Sequence, residues 1–114
     1  MPANPTYRLR FFFDAGSGVC LWAGNEAARE RFGYPVLLTA LPLDDALRAA
    51  GQALIEAYDG ALDWKAPTAP PRWSEDACRA FDGRVRAFVA RLRAHLGPEF
   101  AIDLSDYRPL VVEI

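Results

Sequence analysis

One long apolar stripe constrains the fold of this chain more than any other feature of its sequence. Between Ser74 and Gly97 the apolar residues recur at intervals of three and four, which predicts a single long helix with one buried face. The stripe consists of Cys78, Phe81, Val85, Phe88, Val89, Leu92 and Leu96. Ser74 is a favourable N-cap, and Gly97 followed by Pro98 is a favourable stop. Such a helix is stable only when another layer of the fold covers its apolar face.

Alternating residues in the first part of the chain predict that covering layer. Residues 7–13 and 19–23 have the two-residue period of β-strands, and the turn residues at 14–18 connect them into an antiparallel hairpin. Alternation over 100–104 predicts a third strand. Residues 110–114 are either a fourth strand or a tail.

Two further helices are predicted between the hairpin and the long helix. The first covers 26–32 with Asn25 as its N-cap, and the second covers roughly 45–59 with Asp44 as its N-cap. Between them, 35–42 is an apolar connection. Together with the long helix, this gives three helices.

These elements predict an α+β domain. A lone hairpin is not stable in water, so the C-terminal strand or strands are expected to join it in one antiparallel sheet. The three helices are expected to pack on one face of that sheet. A length of 114 residues suits one domain, so residues 1–114 are expected to fold as a single unit.

Composition excludes several classes of protein. The chain is 52% hydrophobic with a net charge of −2, which argues against disorder and against binding to nucleic acid or an anionic membrane surface. No apolar run is long enough to span a bilayer. The N-terminus lacks the pattern of a secretory signal, and two cysteines do not form a disulfide framework. We therefore expect a cytoplasmic protein in which Cys20 and Cys78 are reduced and buried.

Few residues are suited to catalysis or metal binding. His95 is the only histidine, and Cys78 lies about 25 Å from it along the same predicted helix. The two side chains therefore cannot form a nucleophile–base pair. Two cysteines and one histidine spread along the chain do not supply a metal site. We predict no catalytic residue, no metal and no cofactor.

The outer face of the hairpin is the strongest candidate for a binding surface. If the residues on either side of Phe12 face the helices, Phe12 itself faces away from them. Trp22 on the neighbouring strand then pairs with Phe12, and Arg8 and Arg10 share the same face. Aromatic and arginine side chains are enriched at binding hot spots. The alternative is that a loop or the C-terminal segment covers this face.

A second candidate surface lies near the end of the second helix. Asp59 and Asp63 are one helical turn apart, at a position where acidic side chains oppose the helix dipole. They are suited to a partner that carries arginine. Trp64 and Trp73 flank a proline-rich loop and either pin it to the core or form a cage for a small ligand.

Several segments carry a resemblance to known proteins. The chain resembles a group of small uncharacterised bacterial proteins from GC-rich genomes. The resemblance rests on residues 21–25, residues 31–35, Tyr58–Asp59, Asp63–Trp64 and the long helix. That group implies no activity and therefore no catalytic residue. In size and organisation the chain is also similar to immunity proteins, which neutralise a toxin by binding it.

The sequence therefore predicts a small non-catalytic protein that binds another protein, either as an immunity protein acting on a toxin or as a regulator. One alternative is an enzyme or small-ligand-binding domain with a site at Asp59, Asp63, Trp64 and Trp73. Another is a homodimer formed across the exposed sheet face or an edge strand.

Overall fold

Four strands and three helices make up the part of the chain that this computed structural model describes, namely residues 5–14, 16–61 and 73–108. In chain order the elements are β1 (Tyr7–Phe11), β2 (Leu21–Ala23), α1 (Glu26–Phe32), β3 (Pro35–Val36), a 3₁₀ turn (Leu38–Ala40), α2 (Asp45–Ala61), α3 (Glu75–Leu96) and β4 (Phe100–Asp103). The predicted α+β class is confirmed.

The helices begin at the residues that the sequence indicated. The side-chain oxygens of Asn25, Asp44 and Ser74 accept hydrogen bonds from the backbone N–H three residues further on, at 3.0, 2.7 and 3.1 Å. Gly33 and Gly97 end α1 and α3 with φ angles of 84° and 79°, a conformation that glycine adopts without strain. Local chemistry therefore sets most of the helix boundaries.

The strands form one sheet in the order β3-β2-β1-β4. The predicted joining of the hairpin and the C-terminal strand is confirmed, and both pairs that include β2 are antiparallel. The β1–β4 pair is parallel, however, with Tyr7 opposite Phe100 and Arg10 opposite Asp103. The sheet is therefore mixed rather than wholly antiparallel. A parallel neighbour needs a long crossover, which the helices between β1 and β4 provide.

Strand β3 and the 3₁₀ turn occupy the segment that was predicted to be only an apolar connection. Pro35 pairs with Trp22 and Val36 with Leu21, so two residues extend the hairpin into a third strand. A two-residue strand is too short for alternation to reveal it. At this edge of the sheet Pro35 has no N–H to donate, and at the other edge Arg93 donates to the carbonyl of Ile102 at 2.7 Å. Both features reduce pairing with a second chain.

The hydrophobic core lies between one face of the sheet and the helices. Phe11 is fully buried, and its ring lies 6.3 Å from that of Phe88 on α3. At the other end of the same face, Phe32 of α1 packs against Tyr7 at 5.3 Å. The inner-face and stripe residues with the lowest exposure are Leu9, Phe11, Leu21, Val36, Val85, Val89 and Leu92. The predicted packing of helices on the sheet is confirmed.

Helix α2 approaches the 3₁₀ turn closely because of two of its residues. A Cβ on Gly51 would lie 2.7 Å from both Leu38 Cδ1 and Phe88 Cζ, so glycine permits this packing. One turn earlier, the Arg48 guanidinium donates to the carbonyls of Leu38, Leu41 and Leu43 at 3.3, 3.3 and 2.8 Å. Arg48 therefore holds the connection between β3 and α2 against the helix.

Candidate functional site

The hairpin residues predicted to bind a partner lie together on the sheet face that points away from the helices. Arg10 is the register partner of Trp22, and Arg8 shares its face by alternation. The rings of Phe12 and Trp22 are stacked, with centroids 4.9 Å apart and planes 6° apart. The Arg10 guanidinium carbon lies 5.2 Å from the centre of the Phe12 ring. The structure thus brings Arg10, Phe12 and Trp22 together and places Arg8 on the same face of the sheet.

Trp22 is the buried centre of this group rather than an exposed anchor. Its side chain is only 8% exposed, and its indole N–H donates to the carbonyl of Phe12 at 3.0 Å. On its other side the ring of Tyr34 lies 5.3 Å away. Trp22 is therefore a fixed platform that supports Phe12 and Tyr34.

Tyr34 is a candidate that sequence reasoning missed. It is 44% exposed, a high value for a large aromatic side chain. It immediately precedes β3, and its carbonyl accepts a hydrogen bond from the N–H of Ala23 at 2.7 Å. Alternation alone does not reveal a residue beside so short a strand, although the Gly33-Tyr34-Pro35 sequence marks a turn. We call Arg8, Arg10, Phe12, Trp22 and Tyr34 the outer-face cluster.

Arginine and aspartate side chains lie close together at the border of the outer-face cluster. Arg10 Nε lies 2.7 Å from Asp106 Oδ2, and this hydrogen-bonded pair raises the pKa of the arginine. Hydrogen bonds from Ser105 lower the pKa of Asp103, and the nearby Arg10 and Arg8 charges add to this effect. The segment after β4 therefore touches the margin of the cluster through Asp106. Arg8 and Tyr34 remain exposed.

The acidic and tryptophan candidates lie elsewhere. Asp59 Oδ1 accepts a hydrogen bond from the N–H of Gly16 at 3.2 Å, which ties the end of α2 to the hairpin turn. The ring of Trp73 lies 5.0 Å from that of Phe81 on α3, so this tryptophan packs on the core. Asp63 and Trp64, like residues 110–114, lie outside the described residues.

A cleft that the sequence did not predict opens between the β3 edge of the sheet and α2. Its volume is about 370 Å³, and its lining is mostly apolar. The lining residues include Val19, Cys20, Leu37, Leu38, Ala49, Gln52 and Ile55. We call it the β3 cleft. Its apolar side chains come from three separate segments, which is why no single motif indicated it.

Cys20 and His95, a nucleophilic and a basic side chain, both have surroundings typical of residues with a structural role. Burial raises the pKa of the Cys20 thiol to about 12, so this cysteine is a neutral thiol at physiological pH. His95 Nε2 lies 2.8 Å from the carbonyl of Pro42, and the carbonyl accepts the proton of that nitrogen. Among the described residues there is no group of three or more side chains suited to hold a metal ion.

No helix within the described ranges is long and apolar enough to cross a membrane.

Comparison with known proteins places this fold in a family. No curated protein matches the chain. A family model described as Serratia CdiI immunity protein-like matches residues 8–107, a range that includes both the outer-face cluster and the β3 cleft. The chain therefore belongs to the Serratia CdiI immunity protein-like family, a family of immunity proteins that bind a partner toxin.

Proposed function

We propose that this protein is a cytoplasmic, non-catalytic immunity protein that neutralises its toxin by binding it through the outer-face cluster. The observation that carries the proposal is the stack of Phe12 on the buried Trp22, next to the exposed Tyr34. Aromatic anchors beside arginine are the usual chemistry of an interface hot spot.

The rigidity of the outer-face cluster supports this role. Stacking and the indole hydrogen bond fix Trp22, and Trp22 in turn fixes the rings of Phe12 and Tyr34. Because these side chains are already ordered, little conformational entropy is lost when a partner packs on them. The exposed Arg8 on the same face of the sheet adds a charge that a partner carboxylate is able to pair with.

Two observations support a non-catalytic protein in a reducing compartment. Cys20 and Cys78 are both buried and not disulfide-bonded, as expected for structural cysteines in the cytoplasm. The His95 ring already has a backbone partner in Pro42, as expected for a structural histidine.

The test compares toxin binding by variants that change the surface without removing its platform. Replacing Trp22 would also cost about 3 kcal/mol or more in stability, so Tyr34→Ala and Arg8→Glu are the better changes. We expect Tyr34→Ala to weaken binding about 30-fold, the effect of losing a hot-spot side chain worth about 2 kcal/mol. Arg84→Glu on α3, on the helix side of the sheet, is the charge-reversal control and should bind as the wild type does.

The toxin for this test is captured from the protein's own host with tagged wild-type protein and identified by mass spectrometry. Affinity is then measured by isothermal titration calorimetry, and growth of cells that express the toxin measures protection. Failure of the wild-type protein to capture any toxin, or to protect cells against the toxin that it captures, would refute the immunity function. Full binding by both outer-face variants would instead refute the interface and leave the function standing.

A further inference from the structure

The β3 cleft has the features of a site for an apolar side chain. Its floor and walls are mostly apolar, and Leu37 at its rim is 54% exposed, the most exposed large hydrophobic residue of the described chain. Apolar concavities beside exposed apolar side chains are typical of binding sites. Thr39 and Gln52 add polar groups to the lining, where they are able to orient an occupant.

The β3 cleft is formed before any partner arrives. One wall is the 3₁₀ turn, and Arg48 fixes this turn and the segment after it through hydrogen bonds to the carbonyls of Leu38, Leu41 and Leu43. The same guanidinium also donates to Asp45 Oδ1 at 3.2 Å. Arg48 is therefore a structural cation whose hydrogen-bonding capacity is used within the fold. A preformed wall of this kind reduces the entropy cost of binding.

The surroundings of the cleft are acidic. On α2, Asp45 lies at one end of the cleft lining, and Glu56 follows Gln52 by one helical turn with its side chain exposed. Asp59 continues the same line toward the hairpin turn. Arg48 is the one basic residue of α2, so the exposed side of this helix carries net negative charge. Charge complementarity therefore favours a basic partner.

We propose that the β3 cleft receives a large apolar side chain of the toxin that is flanked by arginine or lysine. This inference rests on the proposed function and adds a second contact to it. Tyr34 in the outer-face cluster and Leu37 at the cleft are joined by the two residues of β3, which places them about 10 Å apart along the chain. One toxin therefore reaches both surfaces by passing over the β3 edge of the sheet.

The first test uses short peptides and does not depend on the toxin. The ¹⁵N-labelled full chain is titrated with the end-blocked tripeptide Arg-Trp-Arg, with Glu-Trp-Glu and Arg-Ala-Arg as matched controls. We expect Arg-Trp-Arg to shift the amide signals of Leu37, Thr39, Ala49 and Gln52, and both controls to shift them much less. Equal shifts with Glu-Trp-Glu, or shifts located away from the cleft, would overturn the proposal.

The second test uses variants and the toxin. Ala49→Phe fills the cleft from an exposed position of α2, and Ala90→Phe makes the same change at an exposed position of α3 outside the cleft. We expect Ala49→Phe to weaken toxin binding at least tenfold and Ala90→Phe to leave it unchanged. Glu56→Gln should weaken it several-fold, with Glu30→Gln on α1 as the matched control.

The two proposals fail in different ways. If Tyr34→Ala weakens toxin binding but Ala49→Phe does not, the cleft proposal is wrong and the outer-face interface stands. If Arg-Trp-Arg occupies the cleft but the wild-type protein binds no toxin, the immunity function is wrong. Cleft signals that shift with protein concentration alone would identify a second copy of the chain as the occupant and overturn the proposal.

Discussion

Arg48 connects α2 to the irregular segment that precedes it. Its guanidinium donates to three carbonyls between residues 38 and 43, and these groups would otherwise need other hydrogen-bond donors. A lysine in its place carries a single ammonium that lacks the planar arrangement of donors. The segment would then lose most of its hydrogen bonds to the helix.

We therefore expect Arg48→Lys to lower the free energy of unfolding by about 2 kcal/mol, because hydrogen bonds from a charged group are lost. Urea denaturation followed by circular dichroism measures this change. Arg84→Lys, an exposed position on α3, is the control and should change stability by less than about 0.5 kcal/mol. Equal stability of Arg48→Lys and the wild type would show that the hydrogen bonds of the Arg48 guanidinium contribute nothing to the free energy of unfolding.

The thiol of Cys20 and the phenol of Tyr107 are both buried in their protonated forms. They make the stability of the fold depend on pH in the alkaline range. Burial raises the pKa of the Cys20 thiol from 9.0 to about 12. Burial and the hydrogen bond that Tyr107 donates to Asp82 also raise the pKa of that phenol above its ordinary value of 10.0. The folded chain therefore keeps protons that the unfolded chain releases above pH 9. This contribution to stability is complete below pH 9 and is lost as the pH rises toward 12.

We expect the melting temperature to fall between pH 9 and 10.5, and Cys20→Ala to reduce the slope of that fall. Tyr107→Phe should reduce it further. Differential scanning calorimetry at half-unit intervals of pH measures all three proteins. Identical slopes for the wild type and both variants would contradict the assignment of these two protons.

Cap residues were predictable from sequence, whereas the role of Arg48 was not. Asn25 and Ser74 act on backbone groups three residues away, so a short window of sequence contains both partners. Arg48 acts on carbonyls of an irregular segment, whose path is set by packing rather than by local preference. For the same reason, the sequence did not indicate Tyr34 as a binding residue. Tyr34 becomes part of the outer-face cluster only when β3 pairs with the hairpin.

Gly51 and Gly83, which lie inside α2 and α3, have opposite surroundings. A Cβ on Gly83 in α3 would have no atom within 4 Å, whereas a Cβ on Gly51 in α2 would lie 2.7 Å from atoms of Leu38 and Phe88. Alanine stabilises an exposed helix interior by about 1 kcal/mol relative to glycine. Overpacking a core contact costs about 1–3 kcal/mol.

We therefore expect Gly83→Ala to raise the free energy of unfolding by about 1 kcal/mol. Gly51→Ala should be at least about 1 kcal/mol less stable than Gly83→Ala, because its extra methyl group meets Leu38 and Phe88. Urea midpoints of the two variants provide the comparison. An equal increase in the free energy of unfolding for both variants would contradict this prediction. It would mean that Leu38 and Phe88 move away from the added methyl group at little cost in free energy.

Periodicity predicted the helices and the hairpin, but not how the last strand pairs. The apolar stripe of α3 and the alternation in β1 repeat over enough residues to identify the element and its buried face. The direction in which β4 pairs with β1 depends on the whole path of the chain between them. No pattern within β4 itself distinguishes a parallel from an antiparallel neighbour.

The sheet joins distant parts of the sequence. Strand β1 lies between β2, its neighbour in the chain, and β4, which follows all three helices. Arg10 and Asp106, which are 96 positions apart, form an ion pair beside that junction. Such long-range contacts favour the unfolding of residues 1–114 as a single unit.

We expect one cooperative transition, with the same urea midpoint by far-ultraviolet circular dichroism and by tryptophan fluorescence. The first signal reports mainly the helices, and the second includes Trp22 on the outer face of the sheet. Two separate midpoints would contradict the prediction of a single domain. The α+β class and the joining of β4 to the hairpin sheet were predictable because each layer has a clear period, but the parallel direction of the β1–β4 pair was not.

The central position of β1 also sets when a newly made chain is able to fold. One edge of β1 has no β4 partner until residue 103 has left the ribosome, roughly 5–20 s after β1 at ordinary rates of synthesis. During that interval an apolar strand with one open edge is exposed to chaperones and proteases. Only a chain synthesised past residue 103 is therefore able to complete the sheet that carries the outer-face cluster.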